Sequence, residues 1–124
     1  MDTPPRLTLT SVNLSAPDPG VLARFYQQLL GYELREDEPD WVVLRPPGGG
    51  TELAFQPEPG YVAPVWPGGP DDQRMMMHLE IRVDDLAAAV THATGLGATL
   101  ADEQPQQDVR VCLDPAGHPF CLYL

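Results

Sequence analysis

The chain has 124 residues, of which 43% are hydrophobic, and its formal net charge at pH 7 is −11. This length supports a single domain with a modest buried core. The negative charge argues against nucleic acids and anionic membranes as partners, because no basic patch is available to bind phosphate. No apolar run is long enough to span a membrane, and residues 1–6 lack the apolar segment of a signal peptide, so we expect a cytoplasmic protein.

The first half of the chain predicts a strand, a helix and three further strands. Alternating apolar residues predict a strand over 7–14, and Asp18 fits the N-cap of a helix that begins at Pro19. Gly31 follows this helix, where a left-handed residue is favoured. A Pro-Gly turn joins the last two of the three strands that complete the module, near 32–37, 40–45 and 51–57.

The second half repeats this order after a linker rich in Pro and Gly at about 58–73. Its predicted elements are a strand at 75–83, a helix from about Asp85 to Thr94, and strands near 98–102, 108–113 and 119–124. The closing strand–turn–strand segments of the two halves, 44–55 and 113–124, align without a gap. The sequence therefore predicts one domain over 1–124, made of module 1 (about 6–57), the linker and module 2 (about 74–124).

The alternation along 77–83 predicts which residues face a cleft. The apolar set Met77, Leu79, Ile81 and Val83 must pack under the helix, so His78, Glu80 and Arg82 face the other, concave side. The same reasoning places Ser11 and Asn13 on the concave side of module 1, and the duplication makes Glu52 equivalent to Cys121. We therefore expect four equivalent positions to converge on a cleft between the halves, namely Ser11, Glu52, His78 and Cys121.

The two cysteines, Cys112 and Cys121, fall in adjacent apolar strands. We expect both to be reduced core residues, with a structural disulfide as the alternative.

The doubled βαβββ unit carries the motifs Phe25-Tyr26…Leu30-Gly31 and Asp114-Pro115-Ala116-Gly117. With these motifs the chain resembles the vicinal oxygen chelate superfamily, which includes glyoxalase I, extradiol dioxygenases, and bleomycin and fosfomycin resistance proteins. The short glyoxalase-like domain proteins are the most similar group. The resemblance implies an α+β fold in which two βαβββ modules form a curved eight-stranded mixed sheet. It does not decide the function, because this scaffold serves several chemistries and some pure binders.

The resemblance also implies a possible site for a divalent metal ion. In the metal-dependent members, the four converging positions carry His, Gln or Glu and chelate a divalent ion. His78 and Glu52 match this pattern, whereas Ser11 and Cys121 depart from it. We therefore expect an incomplete metal site and no bound cofactor. A divalent ion remains the alternative, and zinc would suit a set of Cys121, His78 and Glu52.

His78 is also the candidate catalytic residue in the absence of a metal. It would act as a general base with Glu52 as its orienting partner, and the alternative is a cleft histidine that only makes a hydrogen bond. We expect His92 to lie on the surface and His118 to be structural. Aromatic side chains provide candidate cleft walls, Trp66 before the others. The candidate ligand-binding residues are Ser11, Asn13, Phe55, Trp66, Glu80, Arg82 and Cys121.

Two functions are compatible with this sequence. We slightly favour a glyoxalase-like enzyme of the lyase or isomerase type, acting on a small oxygenated molecule. The alternative is a non-catalytic protein that binds or sequesters a small molecule such as an antibiotic. In either case we expect a homodimer, because a half-open sheet leaves edges and an apolar rim uncovered.

Overall fold

The computed structural model describes residues 3–124 as two βαβββ modules joined by an irregular linker, which confirms the predicted α+β fold. Module 1 contains β1 (Ser11–Ala16), α1 (Pro19–Leu30), β2 (Glu33–Glu38), β3 (Trp41–Arg45) and β4 (Glu52–Pro57). Module 2 contains β5 (Leu79–Arg82), α2 (Leu86–Gly95), β6 (Thr99–Leu100), β7 (Val109–Leu113) and β8 (Pro119–Tyr123).

The eight strands are divided between two four-stranded mixed sheets with the same topology. Their strand orders are β1-β4-β3-β2 and β5-β8-β7-β6. In each module the first strand pairs in parallel with the last, and the remaining pairs are antiparallel. Among the helices of residues 3–124, none is long and apolar enough to cross a membrane.

Both helices begin and end where their capping residues require. The Asp18 carboxylate accepts hydrogen bonds from the backbone N–H groups of Gly20 and Val21, at 3.0 and 3.3 Å, and Pro19 occupies the first turn. Gly31 ends α1 in the left-handed conformation, with φ of 70°, and its N–H donates to the carbonyl of Gln27. Asp85 caps α2 in the same way as Asp18 caps α1.

The core is continuous between the two modules because α1 contacts strands of both. The Tyr26 ring lies 5.9 Å from the Phe55 ring of β4 and 6.1 Å from the Phe120 ring of β8, measured between centroids. All three side chains are fully buried. Aromatic pairs at such distances contribute favourable packing beyond their buried area, so module 1 and module 2 stabilise each other.

Two strands are shorter than the alternation predicts. Residues 7–10 and 75–78 are not in strands, because their partner strands begin only at Glu52 and Pro119. Met77 was expected in the core, but its side chain is 78% exposed. An alternating pattern forms a strand only where a partner supplies hydrogen bonds, and here the partner segments are turns.

The cysteines are both reduced. Cys112 of β7 lies in the core, whereas Cys121 of β8 is half-buried. The register pairs Cys112 with Phe120 and Val111 with Cys121, so the two sulfur atoms are on opposite faces of the sheet. This geometry excludes the alternative of a disulfide between them.

One hydrogen bond within this core yields a stability prediction. The Tyr26 hydroxyl donates to Oδ2 of Asp114, at 2.7 Å, and the Asp114 side chain has no exposed surface. We expect Tyr26→Phe to lower the free energy of unfolding by about 1–3 kcal/mol, because a buried carboxylate oxygen loses a donor. Urea unfolding followed by circular dichroism measures the change. Tyr32→Phe is the matched control, since the Tyr32 hydroxyl makes no hydrogen bond within residues 3–124, and an equal loss in both variants would contradict the prediction.

Candidate functional site

Three potential donor side chains meet on the face of module 2 that lies opposite the core. Nε2 of His78 lies 2.6 Å from Oε2 of Glu80, and the donor atoms of His78, Glu80 and Cys121 all lie within 4.8 Å of one another. The parallel pairing of β5 with β8 places Glu80 directly beside Cys121. We call these three residues the His78 cluster.

The strand register explains why Glu80 belongs to the His78 cluster. Ser11 pairs with Glu52 in module 1, and Glu80 pairs with Cys121 in module 2. If Glu52 corresponds to Cys121, Glu80 therefore corresponds to Ser11. Counting back from the helix caps instead matches Ser11 with His78, because each lies seven residues before its capping aspartate. The two counts differ because Glu80 lies only five residues before Asp85, so the strand-to-helix segment of module 2 is shorter by two.

The linker closes one side of the His78 cluster. Trp66 lies with His78 and Cys121 around a cavity of about 160 Å³, whose other walls are Met75, Pro105, Gln106, Val109, Val111 and Pro119. A short parallel bridge between Val65 and Arg74 holds the linker in place, with the Val65 N–H donating to the carbonyl of Gln73 at 2.7 Å. The structure thus brings together three of the residues that the sequence identified, Trp66, His78 and Cys121. We call this space the Trp66 cleft.

The Cys121 thiol in this cleft holds its proton at neutral pH. Burial raises the pKa of Cys121 to about 12, and a hydrogen bond to Glu80 and the negative charge of that carboxylate add to the effect. A neutral thiol is a weak nucleophile and a poor metal ligand. Cys121 therefore contributes shape and polarisability to the cleft.

Glu52 is not part of the His78 cluster. Its carboxylate lies 2.6 Å from Nε of Arg35, and its surroundings are Thr8, Leu9, Thr10, Gly50 and Thr51. The register between β2 and β3 shifts at Arg35, and such a bulge redirects the side chain, which here extends past β3 to reach β4. The predicted general-base pair of His78 and Glu52 is therefore not assembled in this chain. Glu80 occupies the place beside His78.

The remaining predicted ligand-binding residues lie apart from the Trp66 cleft. Phe55 was expected to line a cleft, but it is fully buried and stacks on Tyr26, because its side of β4 faces α1. Asn13 donates to Oε1 of Gln56, at 3.0 Å, across β1 and β4. Ser11 lies beside Glu52 in module 1, and Arg82 is exposed at the end of β5.

The donors in this chain do not fit the four-ligand metal site that the resemblance implies. Ser11 offers only a hydroxyl, and the Glu52 carboxylate forms an ion pair with Arg35. Two ordinary donors remain, His78 and Glu80, beside the Cys121 thiol, which would have to lose its proton to bind an ion. Two protein ligands alone rarely retain a divalent ion.

A second polar network surrounds Asp114, a buried residue that the sequence analysis did not select. Its Oδ1 accepts from the backbone N–H groups of Ala116 and His118, each at 3.0 Å, and its Oδ2 accepts from Tyr26. Nδ1 of His118 lies 3.0 Å from Oδ2, and Nε2 lies 3.3 Å from the hydroxyl of Tyr61 in the linker. The Asp-Pro-x-Gly turn was visible in the sequence, but its contacts with the helix and the linker were not.

The linker approaches this turn closely. The Tyr61 hydroxyl donates to the carbonyl of Ala116 at 2.8 Å. Gly117 has a φ of 93°, and a Cβ built on it would lie 2.9 Å from Cβ of Ala63. Only glycine combines this backbone angle with so small a separation, so Gly117 permits the contact between linker and turn.

Comparison with known proteins supports the fold described above. A family model described as a glyoxalase-like domain matches residues 11–123, whereas no curated protein matches the chain. A glyoxalase/bleomycin resistance protein/dioxygenase family enzyme from Burkholderia phytofirmans PsJN has a similar structure, with a TM-score of 0.71, 22% identity, and coverage of 94% of this chain and 97% of that one.

Two further similar structures come from actinobacterial sources. TnmS3, an antibiotic binding protein from Streptomyces sp. CB03234, has a TM-score of 0.61 at 20% identity and covers 95% of each chain. TioX from Micromonospora sp. ML1 has a TM-score of 0.61 at 21% identity, with coverage of 93% of this chain and 96% of that one. At these identities the similarity shows a shared fold.

The donor chemistry predicts the metal content of the purified protein. We expect well under one equivalent of nickel, zinc, iron or manganese after dialysis, because the His78 cluster offers two ordinary ligands and a protonated thiol. Elemental analysis by mass spectrometry on protein prepared without chelator measures the content, and Cys121→Ser should leave it unchanged. A stoichiometric ion that is lost in Cys121→Ser would show instead that Cys121 is an ionised ligand.

Proposed function

The chain belongs to the glyoxalase-like domain family, and from this premise we propose that it is a small-molecule binding protein whose ligand lies against Trp66. The single observation that carries the proposal is that the linker brings Trp66 to the cavity containing His78 and Cys121. This cavity combines apolar walls with one polar side, which is the usual composition of a ligand site.

The size and lining of the Trp66 cleft indicate the part of a ligand that it accepts. A volume of about 160 Å³ is below the roughly 300–1,000 Å³ of pockets for drug-sized ligands, so the cleft encloses one ring and leaves the remainder of a larger molecule outside. Trp66 and Met75 offer an aromatic and a polarisable contact. The His78–Glu80 pair supplies the polar contact. The antibiotic binding protein TnmS3 has this fold, so the fold is compatible with the proposal.

Tryptophan fluorescence tests the proposal, because the chain has two tryptophans. Trp41→Phe leaves Trp66 as the single fluorophore, and we expect aromatic antibiotics from a panel to quench it on binding. Trp66→Phe is the matched variant, in which Trp41 of β3 remains and quenching should be lost together with affinity. We expect at least about a tenfold weakening, corresponding to about 1.4 kcal/mol. Equal quenching in both variants, or in neither, would rule out a ligand at Trp66.

A second candidate function is supported by the contact between His78 and Glu80. A carboxylate beside an imidazole orients the ring, which is the arrangement of a general base. In this alternative the protein is a lyase or isomerase that abstracts a proton from carbon next to a carbonyl group of a small oxygenated substrate. Glu80, not Glu52, is then the orienting residue.

Proton exchange tests the catalytic alternative. In deuterated water, small α-hydroxy ketones should exchange the hydrogen on the carbon beside the carbonyl faster with the protein than without it. His78→Gln should remove about 10²- to 10⁴-fold of that acceleration, because a positioned base contributes that much. His92→Gln, on the exposed side of α2, is the control. Exchange at the uncatalysed rate in the native protein would exclude this chemistry for the substrates tested.

We also propose that the protein is a homodimer. Large apolar side chains are exposed in the segments before β1 and before β5, with exposed fractions of 86% for Leu7, 75% for Leu9 and 86% for Met76. Apolar groups concentrated in this way are typical of an interface. Sedimentation at micromolar concentration should give about twice the chain mass of 13.6 kDa, and Leu9→Lys together with Met76→Lys should shift the equilibrium to monomer. A native species at the chain mass would contradict the proposal.

The cytoplasmic location stays a prediction from the sequence.

A further inference from the structure

Two adjoining cavities lie between β1 of module 1 and the segment that leads into β5 of module 2. Their volumes are about 220 and about 350 Å³, and both are lined by Asn13, Leu14, Met77 and His118. We call them together the inter-module cavity. Trp66 and Cys121 do not line either part, so this space is distinct from the Trp66 cleft. The two spaces are neighbours, because His78 and Pro119 border the smaller part and the cleft, and Met75 borders the larger part and the cleft.

The contact of His118 with Asp114 places a proton on Nδ1 of the ring. A carboxylate only accepts, so Nδ1 of His118 must donate to Asp114. In a neutral imidazole, Nε2 then carries the lone pair and acts as an acceptor. The orientation of the ring is secured, because the Asp114 side chain is fully buried and holds three further donors.

Among the residues that the structure describes, none has a proton free to donate to Nε2 of the neutral His118 ring. The hydroxyl of Tyr61 is 3.3 Å away, but its one proton has a nearer acceptor, the carbonyl of Ala116, at 2.8 Å. The side chain of His118 is 18% exposed and borders both parts of the inter-module cavity. A fixed acceptor with an unfilled lone pair at a cavity wall is a binding group for a ligand donor.

We propose that the inter-module cavity is a second ligand site, in which Nε2 of His118 accepts a hydrogen bond from the O–H or N–H group of a small, mainly apolar molecule. The walls favour such a ligand, because Val12, Leu14, Leu79 and Pro119 surround the smaller part and present apolar atoms. The smaller part, at about 220 Å³, lies below the roughly 300 Å³ lower bound of drug-sized pockets and accepts about one ring, and the larger part, at about 350 Å³, lies just above that bound. The proposal does not depend on ligand binding at Trp66.

Phenol and toluene form a matched pair of probes, because they share a six-membered ring and differ in the hydroxyl donor. We expect phenol to bind more tightly than toluene by about three- to tenfold, the effect of one hydrogen bond. Carbon-13 methyl spectra of the full chain measure both affinities and locate the probes, with shifts expected at Met77 and Leu14. Equal affinities, no binding of phenol up to its solubility limit, or shifts confined to residues around Trp66 would overturn the proposal.

Variants separate the role of His118 from general effects on packing. His118→Phe keeps a ring at this position and should reduce phenol affinity to that of toluene, whereas His92→Phe should change neither. Because His118→Phe also removes a donor to Asp114, Tyr61→Phe provides a second test in which Nε2 is retained. Tyr61→Phe should keep the preference for phenol, and loss of the preference would show that the Tyr61 hydroxyl is the polar contact, contrary to the proposal. Trp66→Phe should leave phenol binding unchanged, which distinguishes this site from the Trp66 cleft.

Discussion

The relative placement of the two modules and the linker depends on the hydrogen bonds accepted by the buried carboxylate of Asp114. It accepts hydrogen bonds from its own turn in module 2, from Tyr26 of module 1 and from the ring of His118, which in turn contacts the linker. A charged group without exposed surface is costly unless every lone pair is satisfied. The requirement acts on three separate parts of the chain at once. It fixes how the modules face each other and where the linker lies.

Much of the fold follows from local chemistry that is visible in the sequence. Asp18 and Asp85 define the starts of the helices, and Gly31 defines an end, because capping is decided by a few neighbouring atoms. The duplication predicts the order of helices and strands along both modules for the same reason, because each element is recognised from its own turns and alternation. The strand ends at residues 7–10 and 75–78 were not predictable in this way, since they depend on where a distant partner strand begins.

The sequence predicted which residues of module 2 belong to the candidate site, but it did not predict that His78 would contact Glu80. Alternation along 77–83 correctly separates His78 and Glu80 from the core side of the strand, and Trp66 lies with His78 around the same cavity. The partner of His78 depends instead on register and on a bulge. A two-residue difference between the modules sets Glu80 beside Cys121, and the irregularity at Arg35 directs a cation onto Glu52. Neither feature has a local signal strong enough to read from one sequence.

The linker is held at two places, by Tyr61 and Gly117 near its start and by the bridge from Val65 to Arg74 further along. Between these attachments the chain contributes Trp66 to the cleft and little to the core. One wall of the cleft is therefore built from a residue that lies outside the core, whereas the other walls come from module 2. Loops between fixed attachments tolerate changes in length and composition. Within this architecture, ligand preference can diverge through the side chain at position 66 without a change to the core, which makes this position of the linker the adaptable part of the cleft.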